Sequence, residues 1–235
     1  MIDVGLLGSI AIMVIVVSVF VKPLPTGTTT ASVLDIVSGP LLVGVLVGRL
    51  ASMALDDPAS MTNIRDVMII RGGVEFWAGV AAGFVYLIVQ ARRDRVQFPG
   101  LLAAIAVPAL LAWATFEATC VIRDGCPGPV ASFGMRPAGL VQSMFPVGLV
   151  VAAAAVAGAL VLRAAQRRGT SSMVTVLVAV GLVATIRSIA SIWLPHVGEH
   201  LTRQHRTSIM VAALAWSVLA VMLVRTRAEH RVVAA

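Results

Sequence analysis

The sequence predicts an all-α integral membrane protein with about seven transmembrane helices, and three observations carry that prediction. Hydrophobic residues make up 59% of the 235 and charged ones only 12%, against about 45–50% and about 25% in a soluble domain. The apolar residues gather into seven runs close to the ~20 residues that cross a hydrocarbon core. The basic residues collect in short clusters at the ends of those runs.

Residues 4–21 form the first run, stopped by "KPLPTG". No basic stretch precedes it and no A-x-A site follows, so it reads as an anchor and not as a cleaved signal peptide. The second covers 31–55, from "SVLDIVSGPLL" to "RLASMAL", and the third covers 73–90, closed by "ARRDR". The remaining runs are 99–119, 144–165, 172–194 and 207–224. Residues 120–140 are then a long loop, "RTRAEHRVVAA" is a short tail, and 1–235 is one polytopic membrane domain.

Arginine supplies all the basic residues except Lys22. With the N-terminus outside, ten of them flank the cytoplasmic ends of the spans, in clusters such as Arg92, Arg93 and Arg95 or Arg163, Arg167 and Arg168. Six lie on the other side. The excess predicts an outside N-terminus, a cytoplasmic C-terminus and an outer loop at 120–140. Arginines so placed serve topology and anionic lipid, which argues against nucleic acid as the partner of a chain with net charge +7.

Both cysteines, Cys120 and Cys126, fall in that outer loop. A disulfide persists outside the reducing cytoplasm, and "DGCPG" has the chemistry of a turn. Spacing alone leaves a disulfide and two unpaired thiols equally open. No metal and no cofactor is expected, because His196, His200 and His205 belong to a different loop and the two thiols lack companion ligands.

Charges within spans point to sites. Asp35, Arg49, Glu75, Glu117 and Arg187 lie in or near the apolar runs, where ionisable groups face a protein interior or a watery cavity. The acids are candidate partners of the two bases. Arg49 and Arg187 either pair with them or offer guanidinium forks to a phospholipid headgroup, which arginine binds bidentately. Gly79 and Gly83 have the small-xxx-small spacing of close helix packing. Gly72 and Gly73, after Arg71, free the backbone at a helix entrance, where exposed amides can hold an anion.

Several stretches together resemble the prolipoprotein diacylglyceryl transferases. "VGRL" (47–50) is similar to that family's GxR, and "GGVEFWAGVAAG" (72–83) is similar to its GGxSFHGGxxG. "FEATCVIRDGCPG" (116–128) sits where the family has an arginine-glycine-asparagine signature, in a cysteine-containing variant. "QSMFPVGL" (142–149) and "LTRQHRTSI" (201–209) resemble the two later motifs. The resemblance covers about residues 31 to 224. It implies a diacylglyceryl-transferase-like bundle in the bacterial plasma (inner) membrane. The activity implied is transfer of a diacylglyceryl group from phosphatidylglycerol to the cysteine thiol of an exported lipoprotein precursor.

Departures from the family pattern fall on its reactive groups. Trp77 stands where the family has a histidine, and an indole accepts no proton. Glu117 stands in place of the signature arginine and Cys120 in place of its asparagine, while Phe145, Gly148, Val150 and Val151 replace a further polar set. The expectation is therefore a catalytically degenerate relative. It would bind phospholipid or lipoprotein, with Arg49, Arg71, Gly72, Gly73 and Arg187 around a headgroup. A divergent active transferase with Glu75 as its base is one alternative; a structural subunit of a larger membrane complex is another.

Overall fold

The computed structural model describes residues 4–21, 30–62, 74–121, 128–136, 141–193 and 202–233. These contain seven α-helices: α1 (Val4–Phe20), α2 (Thr30–Asp56), α3 (Phe76–Arg93), α4 (Phe98–Ala118), α5 (Val147–Arg167), α6 (Ser172–Ala190) and α7 (Arg203–Val233). A single strand, β1 (Val130–Met135), lies between α4 and α5. Five helices are long and apolar enough to cross a membrane: α2, α4, α5, α6 and the Arg203–Thr226 portion of α7. The chain is therefore an all-α, multi-pass membrane protein. α1 is apolar but shorter. α3 spends much of its 18 residues on Gly79, Gly83, Trp77, Tyr86 and the paired Arg92 and Arg93.

Two compact units divide the chain: Lys22–Leu101 forms one, and Met1–Val21 with Leu102–Ala235 forms the other. The smaller unit is built on α2 against α3. Lipid tails are as apolar as leucine, so helices in a membrane gain little by hiding apolar side chains and associate through close packing. Here the closeness comes from two crossed glycine pairs, Gly44 and Gly48 on α2 and Gly79 and Gly83 on α3. A Cβ added to Gly79 would sit 2.6 Å from the Gly44 carbonyl oxygen, and one on Gly44 would sit 2.9 Å from that of Gly79. A Cβ on Gly83 would come within 2.9 Å of the Pro40 carbonyl oxygen. All three obstacles are backbone and cannot rotate away. Where α3 begins, the Glu75 N–H donates to the Gly48 carbonyl at 2.9 Å, which ties the helix entrance to the middle of α2.

α3 stops through local chemistry. Gln90 Nε2 donates to Asp94 Oδ2 at 2.9 Å, and Arg95 takes a left-handed φ of 54°, ending the helix before α4 starts at Phe98. Phe84 and Phe98 meet edge to face, 5.3 Å between centroids.

In the larger unit, Ala106, Val107 and Leu110 of α4 pack on Ala159 and Leu162 of α5, with Val178, Ala179 and Val183 of α6 alongside. Gln166 of α5 donates to the Ala103 carbonyl at 2.7 Å. The α5–α6 connection, "RRGTSS", is a helix stop followed by a helix start. Gly169 adopts φ 82°, its N–H donates to the Gln166 carbonyl, and the Thr170 N–H donates to that of Ala165. That is the paired bonding of a Schellman cap, with glycine at the left-handed position. Ser171 then caps α6 by accepting from the Val174 N–H. α6 and α7 are joined where the Trp216 ring lies over Gly181, 2.7 Å from where a Cβ would be, and its Nε1 donates to Thr185 Oγ1 at 3.0 Å. At the far end of α5 the Arg163 guanidinium stands 5.7 Å from the Phe20 ring centroid of α1, a cation–π distance.

Gly79→Ala should destabilise the chain by about 1–3 kcal/mol, the usual range for overpacking. Gly100→Ala is the control, since its nearest neighbour would be an ordinary 4.0 Å away. Thermal unfolding in detergent should show a lowered midpoint for the first variant and none for the second.

Candidate functional site: a polar cavity at one end of the bundle

α4 to α7 alternate in direction along the chain, so the end of α4, the start of α5, the end of α6 and the start of α7 meet. A cavity of about 140 Å³ opens there, lined by Trp113, Glu117, Val147, Val151, Arg187, Ala190, Ser191, Gln204 and Ser208. Every one of these residues lies within about two helical turns of a helix end. Arg187 and Ser191 are four residues apart on one face, as are Gln204 and Ser208.

Two local features bring the walls together. Gly148, the second residue of α5, is buried where a Cβ would lie 2.6 Å from the Glu117 carbonyl oxygen and 3.2 Å from the Cys120 Cβ. Glycine is thus what lets α5 start against the end of α4. Thr202 caps α7, its hydroxyl accepting the His205 N–H at 3.2 Å, which fixes the turn that carries Gln204, His205 and Ser208. The helix accordingly begins at Arg203, four residues before the apolar run at 207–224, and His205 lies inside it.

The polar groups engage one another across helices. Trp113 Nε1 donates to Glu117 Oε1 at 2.9 Å, orienting the carboxylate one turn along α4. Arg187 Nη2 donates to Gln204 Oε1 at 3.1 Å, joining α6 to α7. Ser191 Oγ, the cap residue of α6, lies 2.5 Å from His205 Nδ1 and donates to the Ser188 carbonyl at 2.8 Å. Ser191 and His205 are only 8% and 7% exposed, so this contact is interior. Ser208 Oγ donates to the Gln204 carbonyl.

A short flap continues the wall. Val130 and Met135 bridge to Met144, and the Ala131 N–H donates to the Ser143 carbonyl at 2.9 Å. The pairing depends on Gly134, whose φ is 132° and whose Cβ would strike the Met144 carbonyl oxygen. Phe145 stacks edge to face with Phe133 at 5.8 Å, lies 5.7 Å from the Trp193 centroid, and packs on Val147, Val151 and Ala190. Those three are cavity-lining residues, so the aromatic cluster backs the apolar part of the wall.

Of the candidates from sequence, Glu117 and Arg187 come together on this cavity. Arg49 is buried on α2, and Glu75 is buried at the cap position of α3 with no side-chain capping bond; both belong to the smaller unit. Asp35 is exposed. Trp77 is half-buried, edge to face with Phe76 at 5.1 Å. Cys120 is disulfide-bonded, and the sequence offers one other cysteine, Cys126, which lies outside the described residues, as do Arg71, Gly72 and Gly73. Cys120 Sγ stands 3.9 Å from Glu117 Oε2, so the bridge abuts the cavity wall. Trp113, Ser191, Gln204, His205 and Ser208 were not foreseen. The one available signal was the four-residue spacing of Arg187 with Ser191 and of Gln204 with Ser208.

The chain matches no protein-family model, and no curated protein matches it.

Alkylation of the denatured chain should modify no cysteine before reduction and two after it, read by intact mass. A thiol that reacts without reductant contradicts the bridge at Cys120.

Proposed function

We propose that this chain is a diacylglyceryl-transferase-like membrane protein that binds the headgroup of an anionic phospholipid in the cavity at the end of the bundle, without performing the family's transfer. The observation that carries this reading is Arg187 on the wall of the cavity, about one helical turn inside the end of an apolar helix. An arginine stem reaches from such a position towards the headgroup level, and a guanidinium is well suited to phosphate.

Size and chemistry favour the same ligand. An engineered cavity of about 150 Å³ holds benzene, so about 140 Å³ admits a small headgroup but no acyl chain, which would lie outside along the helices. The wall also carries Glu117 and the Gln204 amide, together with the Ser191 and Ser208 hydroxyls. A bare phosphate would be repelled by the carboxylate. A glycerol phosphate uses both signs, its phosphate towards Arg187 and its hydroxyls donating to Glu117. This supports a phosphatidylglycerol-like lipid. The family resemblance and the arginine distribution support a bacterial plasma membrane, an outside N-terminus and a role beside lipoprotein precursors. The positions that match the family's reactive groups are occupied by Trp77, Glu117 and Cys120, which supports binding without transfer.

Native mass spectrometry after mild extraction should show about one retained phosphatidylglycerol per chain. Arg187→Ala should weaken retention by about 10- to 100-fold, the equivalent of about 1.5–3 kcal/mol for a hydrogen bond to a charged group. Undiminished retention in Arg187→Ala overturns the reading, and so does recovery of a stoichiometric protein partner with no lipid. Restoration of lipoprotein modification in a transferase-deficient strain would overturn the absence of transfer.

A further inference from the structure

We propose that Ser191 is a nucleophile activated by His205, and that the cavity is an esterase-type site which accepts the acyl group of a small carboxylic ester. The proposal goes beyond headgroup binding and does not depend on it.

Order in space is the first support. Ser191 lines the cavity, whereas His205 is buried and is not among the lining residues. Ser191 is thus the member of the pair on the cavity wall, and the His205 imidazole nitrogen lies behind it, 2.5 Å from its Oγ. A hydrogen bond that only tied α6 to α7 would not need one partner exposed to a cavity. A nucleophile backed by its base does.

Rigidity is the second. Ser191 sits at the end of α6, its N–H bonded to the Arg187 carbonyl at 2.9 Å. His205 is held on the first turn of α7 by the Thr202 cap. Both side chains are thus placed by helix ends, not by loops, and a catalytic pair needs that precision.

The hydroxyl has one proton and two neighbours. With that proton on the Ser188 carbonyl, 2.8 Å away, the imidazole donates its Nδ1–H to Ser191 Oγ. With the proton carried on Nε2 instead, Nδ1 is an acceptor and takes the hydroxyl proton. The second arrangement is the reactive one. Arg187, one turn back on the same face, shares the cavity and supplies a positive charge for a developing oxyanion.

The chemistry balances without any redox change. Ser191 Oγ bonds to the ester carbonyl carbon as its proton passes to His205 Nδ1, and the carbonyl electron pair moves onto oxygen. Collapse breaks the carbon–alkoxy bond; the alkoxide takes the proton from His205 and leaves as the alcohol. Water then attacks the acyl–Ser191 ester by the same path, releasing the carboxylic acid and restoring the serine.

The test uses the full chain in mild detergent, after exhaustive detergent exchange, with an alkyl fluorophosphonate probe and peptide mapping by mass spectrometry. Ser191 Oγ should displace fluoride and carry one phosphonyl group per chain. Ser191→Ala should remove that adduct, and His205→Gln should slow its formation by about 100-fold or more, the contribution of a positioned base. An unmodified Ser191 in the unaltered chain overturns the proposal whatever the variants do. Labelling of His205→Gln at the original rate, with an unaltered helical circular dichroism spectrum, also overturns it. A chain that retains phospholipid yet leaves Ser191 unmodified removes the nucleophile alone; one labelled at Ser191 that retains no phospholipid removes the headgroup reading alone.

Discussion

Helices surrounded by lipid cannot hold together by hiding leucine, so the structure rests on close approach where side chains are missing. The crossed pairs Gly44/Gly48 and Gly79/Gly83 put backbone against backbone in the smaller unit. Gly148 does the same for the ends of α4 and α5, while Gly181 makes room on α6 for the Trp216 ring of α7. Each contact brings dipoles, carbonyls and Cα–H groups within reach, an attraction that survives in lipid because it does not depend on expelling water. The cavity is a by-product of this geometry. Glycine brings α5 up to α4, while the longer side chains of Arg187, Gln204 and Trp113 stand between the remaining helix ends.

Polar groups in that setting must satisfy one another. The larger unit arranges this mostly by helix-to-helix or same-face pairs: Trp113 with Glu117, Arg187 with Gln204, Ser191 with His205. Caps complete the frame, since Ser171 and Thr202 occupy donors that would otherwise be left at helix starts. The polar cluster is therefore positioned by the same hydrogen bonds that stop and start the helices.

Most of the fold was legible because membrane helices are specified locally. Apolar length located each helix, and "ARRDR" marked the close of α3. The start of α7 was misjudged because Gln204 and His205 read as loop; they are polar residues on a helix that meets other polar residues. The last apolar residues of the run at 172–194 were taken as helix, yet α6 ends at Ala190, since Ser191 begins a turn. The small-residue spacing of α3 was readable, but its partners on α2 were not, because contact between helices is a tertiary fact. Glu117 and Arg187 stood out as charges among apolar residues. Ser191 and His205 did not, because neither residue type is unusual and a serine fourteen positions from a histidine has no periodic signature.

The glycine contact between α2 and α3 joins helices that are neighbours along the chain. The entropy of closing a connection grows only slowly with its length, and contacts near in sequence form early. During synthesis this pair can assemble while α5, α6 and α7 are still unmade. The order of emergence from the insertion channel is thus written into the molecule, with a tightly locked pair first and the polar chamber completed only when the final helix arrives.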